Sequence, residues 1–191
     1  GGAFAEQGSL RFKQEGLKGK ASMLRVSNPS ALRLTTFTFE TFVRRSSYAE
    51  WQVIAVMPGR LTTDAGEKIL NWDSWGIRFT EQNRLHVRFT NPAATPSANV
   101  GDFNKTIMSP AKENVPWFNG ADGSWHHIAF SVDDATHTVK IYIDYRLVTT
   151  ENLGFSVGYF DGSDLYLGAT LQTAGPFDGY LAQTRISDTV L

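Results

Sequence analysis

The chain has 191 residues and a formal net charge of −1, with 19% charged residues, so composition gives no electrostatic case for a nucleic-acid or anionic-membrane partner. It has no cysteine, which excludes a disulfide framework and thiolate metal sites. Hydrophobic residues reach 41% and aromatics 13%, with five tryptophans, which suits a sizeable β core or a ligand face lined with rings.

In chain order, Ser9–Phe12 reads as an opening strand, and Gly16, Gly19 and Asn28-Pro29 break the stretch after it. Met23, Leu24 and Val26 suggest a second short strand. Phe37 to Arg44 alternates apolar and polar residues and predicts a strand with one buried face. Trp51 to Val56 is a nearly continuous apolar run, as expected deep in a sandwich. Met57 to Asp73 reads as a long turn-rich connection. Two strands come next, Trp75–Thr80 and Arg84–Phe89. On the second, Leu85, Val87 and Phe89 face the core while Arg84, His86 and Arg88 face solvent.

From 91 to 124 the pattern dissolves around Pro92, Pro96, Pro110 and Pro116, with Ile107-Met108 a brief strand. A connection this long in a compact domain is usually functional or mobile. Then comes the clearest signal. Ile128, Phe130 and Val132 alternate on one run, Val139, Ile141 and Ile143 on the next, and Asp133-Asp134-Ala135-Thr136-His137 between them is a turn composition. Trp125, opening the first run, is expected to anchor a core layer. A loop over 154–163, a strand at Leu165 and a closing strand over 179–187 complete one domain, 1–191, with residues 1–8 an irregular lead-in. No stretch has helical periodicity or spans a membrane. The opening Gly1-Gly2 leads us to expect a domain cut from a longer precursor.

Four spaced motifs carry a resemblance. They are Trp125-His126 opening a strand that ends in Asp133, the strand Lys140-Ile141-Tyr142-Ile143-Asp144, Leu165-Tyr166-Leu167-Gly168, and Phe177-Asp178-Gly179-Tyr180. Together they resemble the laminin G-like, concanavalin A-like jelly-roll modules over residues 30–191, most closely from 123 onward. The resemblance implies an all-β, two-sheet antiparallel sandwich from a secreted or cell-surface protein. The lack of cysteine leans towards a bacterial source. Asp144-Tyr145 departs from the pattern, which has Asp-Gly there, so Tyr145 must take a strained or different turn.

Catalysis finds little support. Retaining glycosidases need two closely spaced carboxylates, and this fold family carries them as Glu-x-Asp-x-x-Glu, yet no Glu here is followed two positions later by Asp. His126 and His127 are strand neighbours and point to opposite faces. Composition leaves a Ser-His-Asp arrangement open, but no Gly-x-Ser-x-Gly elbow and no phosphate-binding glycine loop are expected.

For ligands, the resemblance implies a calcium rim with Asp73 as one ligand and Asp161, or its near alternative Asp164, as another. The plainer reading is that these acids satisfy loop amides. Trp72 and Trp75 flank the expected ion, and Trp117 and Phe118 lack strand context, which makes these four rings the candidates for stacking on a sugar. The sequence therefore reads as a non-catalytic carbohydrate-binding module with a possible calcium site, its partner a carbohydrate or glycoprotein. A protein–protein adhesion or spacer module is the alternative, and a hydrolase of the same fold with an unfamiliar site is the third.

Overall fold

The computed structural model describes residues 8–15, 20–27, 29–47, 51–62, 68–93, 104–120, 122–159, 163–169 and 175–191. They form two six-stranded antiparallel sheets. The first runs in the order β1 (Ser9–Phe12), β14 (Gly179–Ser187), β5 (Phe37–Arg45), β10 (His126–Asp133), β11 (Thr138–Ile143) and β12 (Arg146–Asn152). The second runs β4 (Leu24–Val26), β13 (Leu165–Leu167), β6 (Gln52–Thr62), β7 (Lys68–Phe79), β8 (Leu85–Thr90) and β9 (Asn104–Met108). Two-residue strands β2 (Gln14–Glu15) and β3 (Lys20–Ala21) pair apart from both. This is the expected sandwich, its non-consecutive neighbours giving the jelly-roll crossovers. Among the described residues no helix is long and apolar enough to cross a membrane.

Alternation decides which face of each strand enters the core. Phe37 and Phe39 of β5, Phe130 of β10 and Phe89 of β8 close around Trp75 of β7, with ring centroids 5.6 to 5.9 Å apart. Such a buried aromatic cluster is worth several kcal/mol, since truncating one Phe or Trp to Ala costs about 3–5 kcal/mol. The β10–β11 hairpin forms as expected, with Ile128 paired to Ile143 and Phe130 to Ile141. Asp133 closes its turn, accepting from the Ala135 amide (3.0 Å) and the Thr136 hydroxyl (2.9 Å).

The glycine of Leu165-Tyr166-Leu167-Gly168 is required by geometry. Its φ is +82°, and an added Cβ would lie 2.1 Å from the Phe12 ring. Its amide donates to Ile54 and its carbonyl accepts from Phe177, which ties β13 to the segment before β14.

Three features differ from the sequence reading and a fourth agrees with it. The connection expected over 57–73 is largely strand: β6 continues to Thr62 and β7 begins at Lys68, because register shifts after Met57 and Gly59 carry the ladder past Pro58 and Gly59. Strand β12 was not legible, being a polar edge strand whose residues lie mostly exposed. Trp125 does not anchor the core. It lies two residues before His127 on the outer face of the first sheet, where its ring packs against Arg44. Asp144 and Tyr145 do form the β11–β12 turn, both left-handed at φ +48° and +64°.

Candidate functional site

The outer face of the second sheet carries charge where the core face carries rings. Trp75, Ile77 and Phe79 of β7 and Leu85, Val87 and Phe89 of β8 point inward, so Gly76, Arg78, His86, Arg88 and Thr90 point outward. By simple alternation Asp73 would join Trp75 in the core. The ladder prevents this: Met57 pairs with Trp75 and Pro58 with Asp73, so Ser74 is an extra residue that turns Asp73 to the outer face. There Asp73 Oδ2 accepts from Arg78 Nη2, from Arg88 Nη2 (2.5 Å) and from Arg88 Nε (3.1 Å). Gly76 lies beneath, and a Cβ on it would come within 3.1 Å of Arg78 Nη2 and 3.2 Å of Asp73 Oδ2. The missing side chain makes room for the triad.

Charge-assisted contacts of this kind are the strong ones, and here they are buried. Burial lowers the Arg78 guanidinium from its usual value, Asp73 opposes this, and Arg88 adds to it. The same environment acts on His86. Burial first, then Arg78 and Arg88, push its imidazole down to about 3, so it is neutral at physiological pH. The ring of Trp51 stands edge-on to His86 at 5.0 Å and is partly exposed, forming a rim beside the charged floor. The expectation that His86 and Arg88 face open solvent thus needs correcting, since His86 is buried.

Further along this face, Tyr166 sits between Arg25 and Val56 in register and packs with Val53 and Val56. Its hydroxyl donates to Asp164 Oδ2 (3.2 Å), which also accepts from Arg25 at 2.7 and 2.6 Å. Among the described residues named here, three arginines stand against two aspartates, a surplus of positive charge. Arg78 Nε, His86 Nδ1 and Asn104 Nδ2 are buried with no hydrogen-bond partner among the described residues. Buried polar atoms are nearly always paired, so three without a partner on one face are exceptional.

The four candidate rings separate. Trp75 is 0% exposed at the centre of the aromatic cluster, and Phe118 is 3% exposed with its ring stacked on Phe79, so neither presents a face to a ligand. Trp117 is 41% exposed and carries the Arg146 guanidinium 4.8 Å over its ring. Trp72 lies on β7 opposite Gly59, and its side chain is outside the described residues. Asp161 is also outside them. Asp73 and Asp164 belong to the outer face just described.

One nucleophile pattern is present after all. Gly154-Phe155-Ser156-Val157-Gly158 matches Gly-x-Ser-x-Gly, and Ser156 Oγ lies 3.4 Å from His137 Nε2. Ser156 is exposed on an irregular segment after β12, with no helix following among the described residues, so the strand–turn–helix context that gives the motif its meaning is missing.

The family model described as concanavalin A-like lectin/glucanases superfamily, Laminin G 3, matches residues 18–191. The chain belongs to this superfamily. No curated protein matches it in sequence. Among solved structures, the CBM40 of the Ruminococcus gnavus IT-sialidase bound to alpha2,3 sialyllactose is similar in fold, with a TM-score of 0.64 and 14% identity over 96% of this chain and 92% of that one. The leech intramolecular trans-sialidase is similar at a TM-score of 0.66 and 15% identity, over 97% of this chain and 26% of that one. A putative carbohydrate binding protein from Bacteroides ovatus is similar at 0.59 and 15%, over 96% and 44%. At these identities the likeness establishes fold alone.

Calcium, implied by the laminin G-like resemblance, does not suit the acids that the structure describes. A calcium ion beside Asp73 Oδ2 would face two guanidiniums at hydrogen-bonding distance, and Asp164 Oδ2 is already held by Arg25 and Tyr166. Among the described residues no three acidic or histidine side chains cluster as a metal group.

Proposed function

We propose that this chain is a non-catalytic carbohydrate-binding module, secreted or displayed at a cell surface, whose ligand docks on the outer face of the second sheet. The carrying observation is the Arg78–Asp73–Arg88 triad, whose Arg88 edge is partly exposed, with unpaired polar atoms beside it. Arg88, the more exposed of the two arginines, offers its guanidinium edge to a sugar carboxylate or hydroxyl, and Arg78 stiffens it through the shared aspartate. Trp51 covers the apolar face of a sugar ring at the rim. The surplus positive charge favours an acidic sugar, and the sialyllactose-bound sialidase module of the same fold supports that choice. The site's own acid, Asp73, is engaged by two guanidiniums, an arrangement for binding rather than for the acid–base pair that glycoside hydrolysis needs.

A glycan array with an acidic trisaccharide, α2,3-sialyllactose, beside neutral lactose tests this reading. The wild-type protein retains the acidic glycan over the neutral one, and Arg88→Ala weakens binding at least tenfold, as the loss of one charged hydrogen bond of about 1.5–3 kcal/mol requires. No glycan bound by the wild-type protein would leave the adhesion-module reading in its place.

A further inference from the structure

The outer face of the first sheet carries a second group of rings and cations that the site above does not use. Its register places Arg11, Tyr180 and Arg44 side by side on β1, β14 and β5, with Trp125 just before β10. The Arg44 guanidinium lies 4.4 Å from the Tyr180 ring and 5.3 Å from the Trp125 ring, held between two aromatic planes. Arg11 covers the same tyrosine at 4.8 Å but is paired with Asp178 at 3.0 Å. Arg44 has no such pairing: among the described residues it has no carboxylate and no hydrogen-bond acceptor.

One row along the same face, Tyr145 holds a left-handed backbone that a bulky residue rarely adopts. Its ring stacks on His127 at 4.2 Å and 6° between planes, yet the residue is 71% exposed, so the ring's other face is open. His127 is fixed from below, its Nε2 2.9 Å from Glu40 Oε2, and Glu40 Oε1 accepts from Arg185 Nε at 2.5 Å. Burial pushes the Glu40 carboxyl up, but the Arg185 and His127 hydrogen bonds win and hold it below its usual value. Arg185 is 69% exposed. Phe42 joins the two halves, two residues before Arg44 and 5.2 Å from the His127 ring. At the other end of the sheet face, the main-chain oxygens of Thr189 and Leu191 accept from Thr38, Tyr142 and Lys140, so residues 189–191 lie over that end rather than over the rings.

We propose that the aromatic end is a second glycan-binding surface, separate from the first and on the opposite sheet, which takes a short uronic-acid oligosaccharide. Tyr145 is the stacking platform for a sugar ring, and Arg44 and Arg185 take its carboxylates. A strained turn that holds an exposed ring over a braced imidazole is a conformation kept for what the ring touches. The ligand lies across the strands from the Tyr145 ring, stacked over His127 of β10, to Tyr180 of β14, about two strand spacings or roughly 10 Å. A peptide adding as a strand needs a free sheet edge, whereas Arg44 and His127 stand on the central strands β5 and β10. The inference extends the carbohydrate reading to a new site and rests on it for the class of ligand.

The test is calorimetric titration with trigalacturonate, its methyl ester and an oligoglutamate peptide, on the wild-type protein and on Tyr145→Gly and Arg44→Gln. Glycine favours the left-handed turn, so Tyr145→Gly keeps the fold while removing the platform. We expect trigalacturonate to bind, each variant to weaken it at least tenfold, the ester to bind more weakly, and a saturating amount of the first site's acidic trisaccharide to leave it in place. Unchanged binding in both variants, displacement by the trisaccharide, equal binding of oligoglutamate, or no binding of trigalacturonate would each overturn the inference. Failure of the trisaccharide to bind, with trigalacturonate still held through Tyr145, would instead sink the first site alone.

Discussion

Removing the Asp73 carboxylate tests whether the charged triad is built as described. In Asp73→Ala two guanidiniums, both mostly buried, lose their shared acceptor over a face that gives them few others. Breaking a buried ion pair from one side costs about 3–5 kcal/mol, because the remaining charge stays buried and unpaired. For a chain of this size each kcal/mol moves the midpoint by about 2–4 °C, so Tm should fall by roughly 6–20 °C. Asp73→Asn keeps the shape and one acceptor, and its loss is smaller. Equilibrium urea unfolding followed by far-UV circular dichroism, paired with a thermal scan, measures both. Raising the salt concentration should change the wild-type advantage little, since buried pairs are weakly screened. A loss below about 1 kcal/mol, erased by salt, is what an exposed surface pair gives and would refute the buried triad.

The same geometry sets further outcomes. Gly76→Ala forces a Cβ to about the limit of contact with Arg78, Asp73 and Val56, so it should destabilise by about 1 kcal/mol and weaken acidic-glycan binding; unchanged affinity in the array would count against the packed triad. His86 is neutral when folded down to about pH 3 but takes a proton near pH 6.5 when unfolded. Its contribution is therefore complete above pH 6.5 and is lost as pH falls towards 3, at up to about 1.4 kcal/mol per pH unit. Urea unfolding of His86→Gln between pH 7 and 4 should show a shallower acid slope than the wild type, and parallel slopes would contradict this. Tyr145→Gly relieves about 1 kcal/mol of left-handed strain and loses a ring stack worth about 0.5–1.5 kcal/mol. Its stability should stay within about 1 kcal/mol of the wild type, and a loss above 2 kcal/mol would make the ring structural.

Much of the fold was legible because period-two alternation survives wherever a strand has one buried face. Ile128, Phe130 and Val132 with Val139, Ile141 and Ile143 gave the hairpin, and the structure pairs them face to face. The signal failed where bulges let Pro58 and Gly59 sit inside a ladder, and where β12 had no apolar face to show. Size misled at Trp125: its spacing from His127 places it outward, but a large ring suggested the core. The site was half visible. Alternation put His86 and Arg88 on the outer face of β8, while Asp73 entered as a calcium ligand through the resemblance alone, and its pairing with those arginines depends on the extra residue at Ser74, which leaves no trace in composition. Phe118 looked exposed for lack of strand context, although a loop residue packs inward as readily when a ring such as Phe79 waits beneath it.

The central claim is that glycan docks on the outer face of the second sheet, and an NMR titration with the acidic trisaccharide probe in the presence of EDTA tests it most directly. The account predicts saturable shifts at the Trp51 indole N–H and at the Arg78 and Arg88 Nε–H signals, unaffected by the chelator and absent in Arg88→Ala. Shifts that bypass these three side chains, or that vanish once EDTA is added, would contradict it.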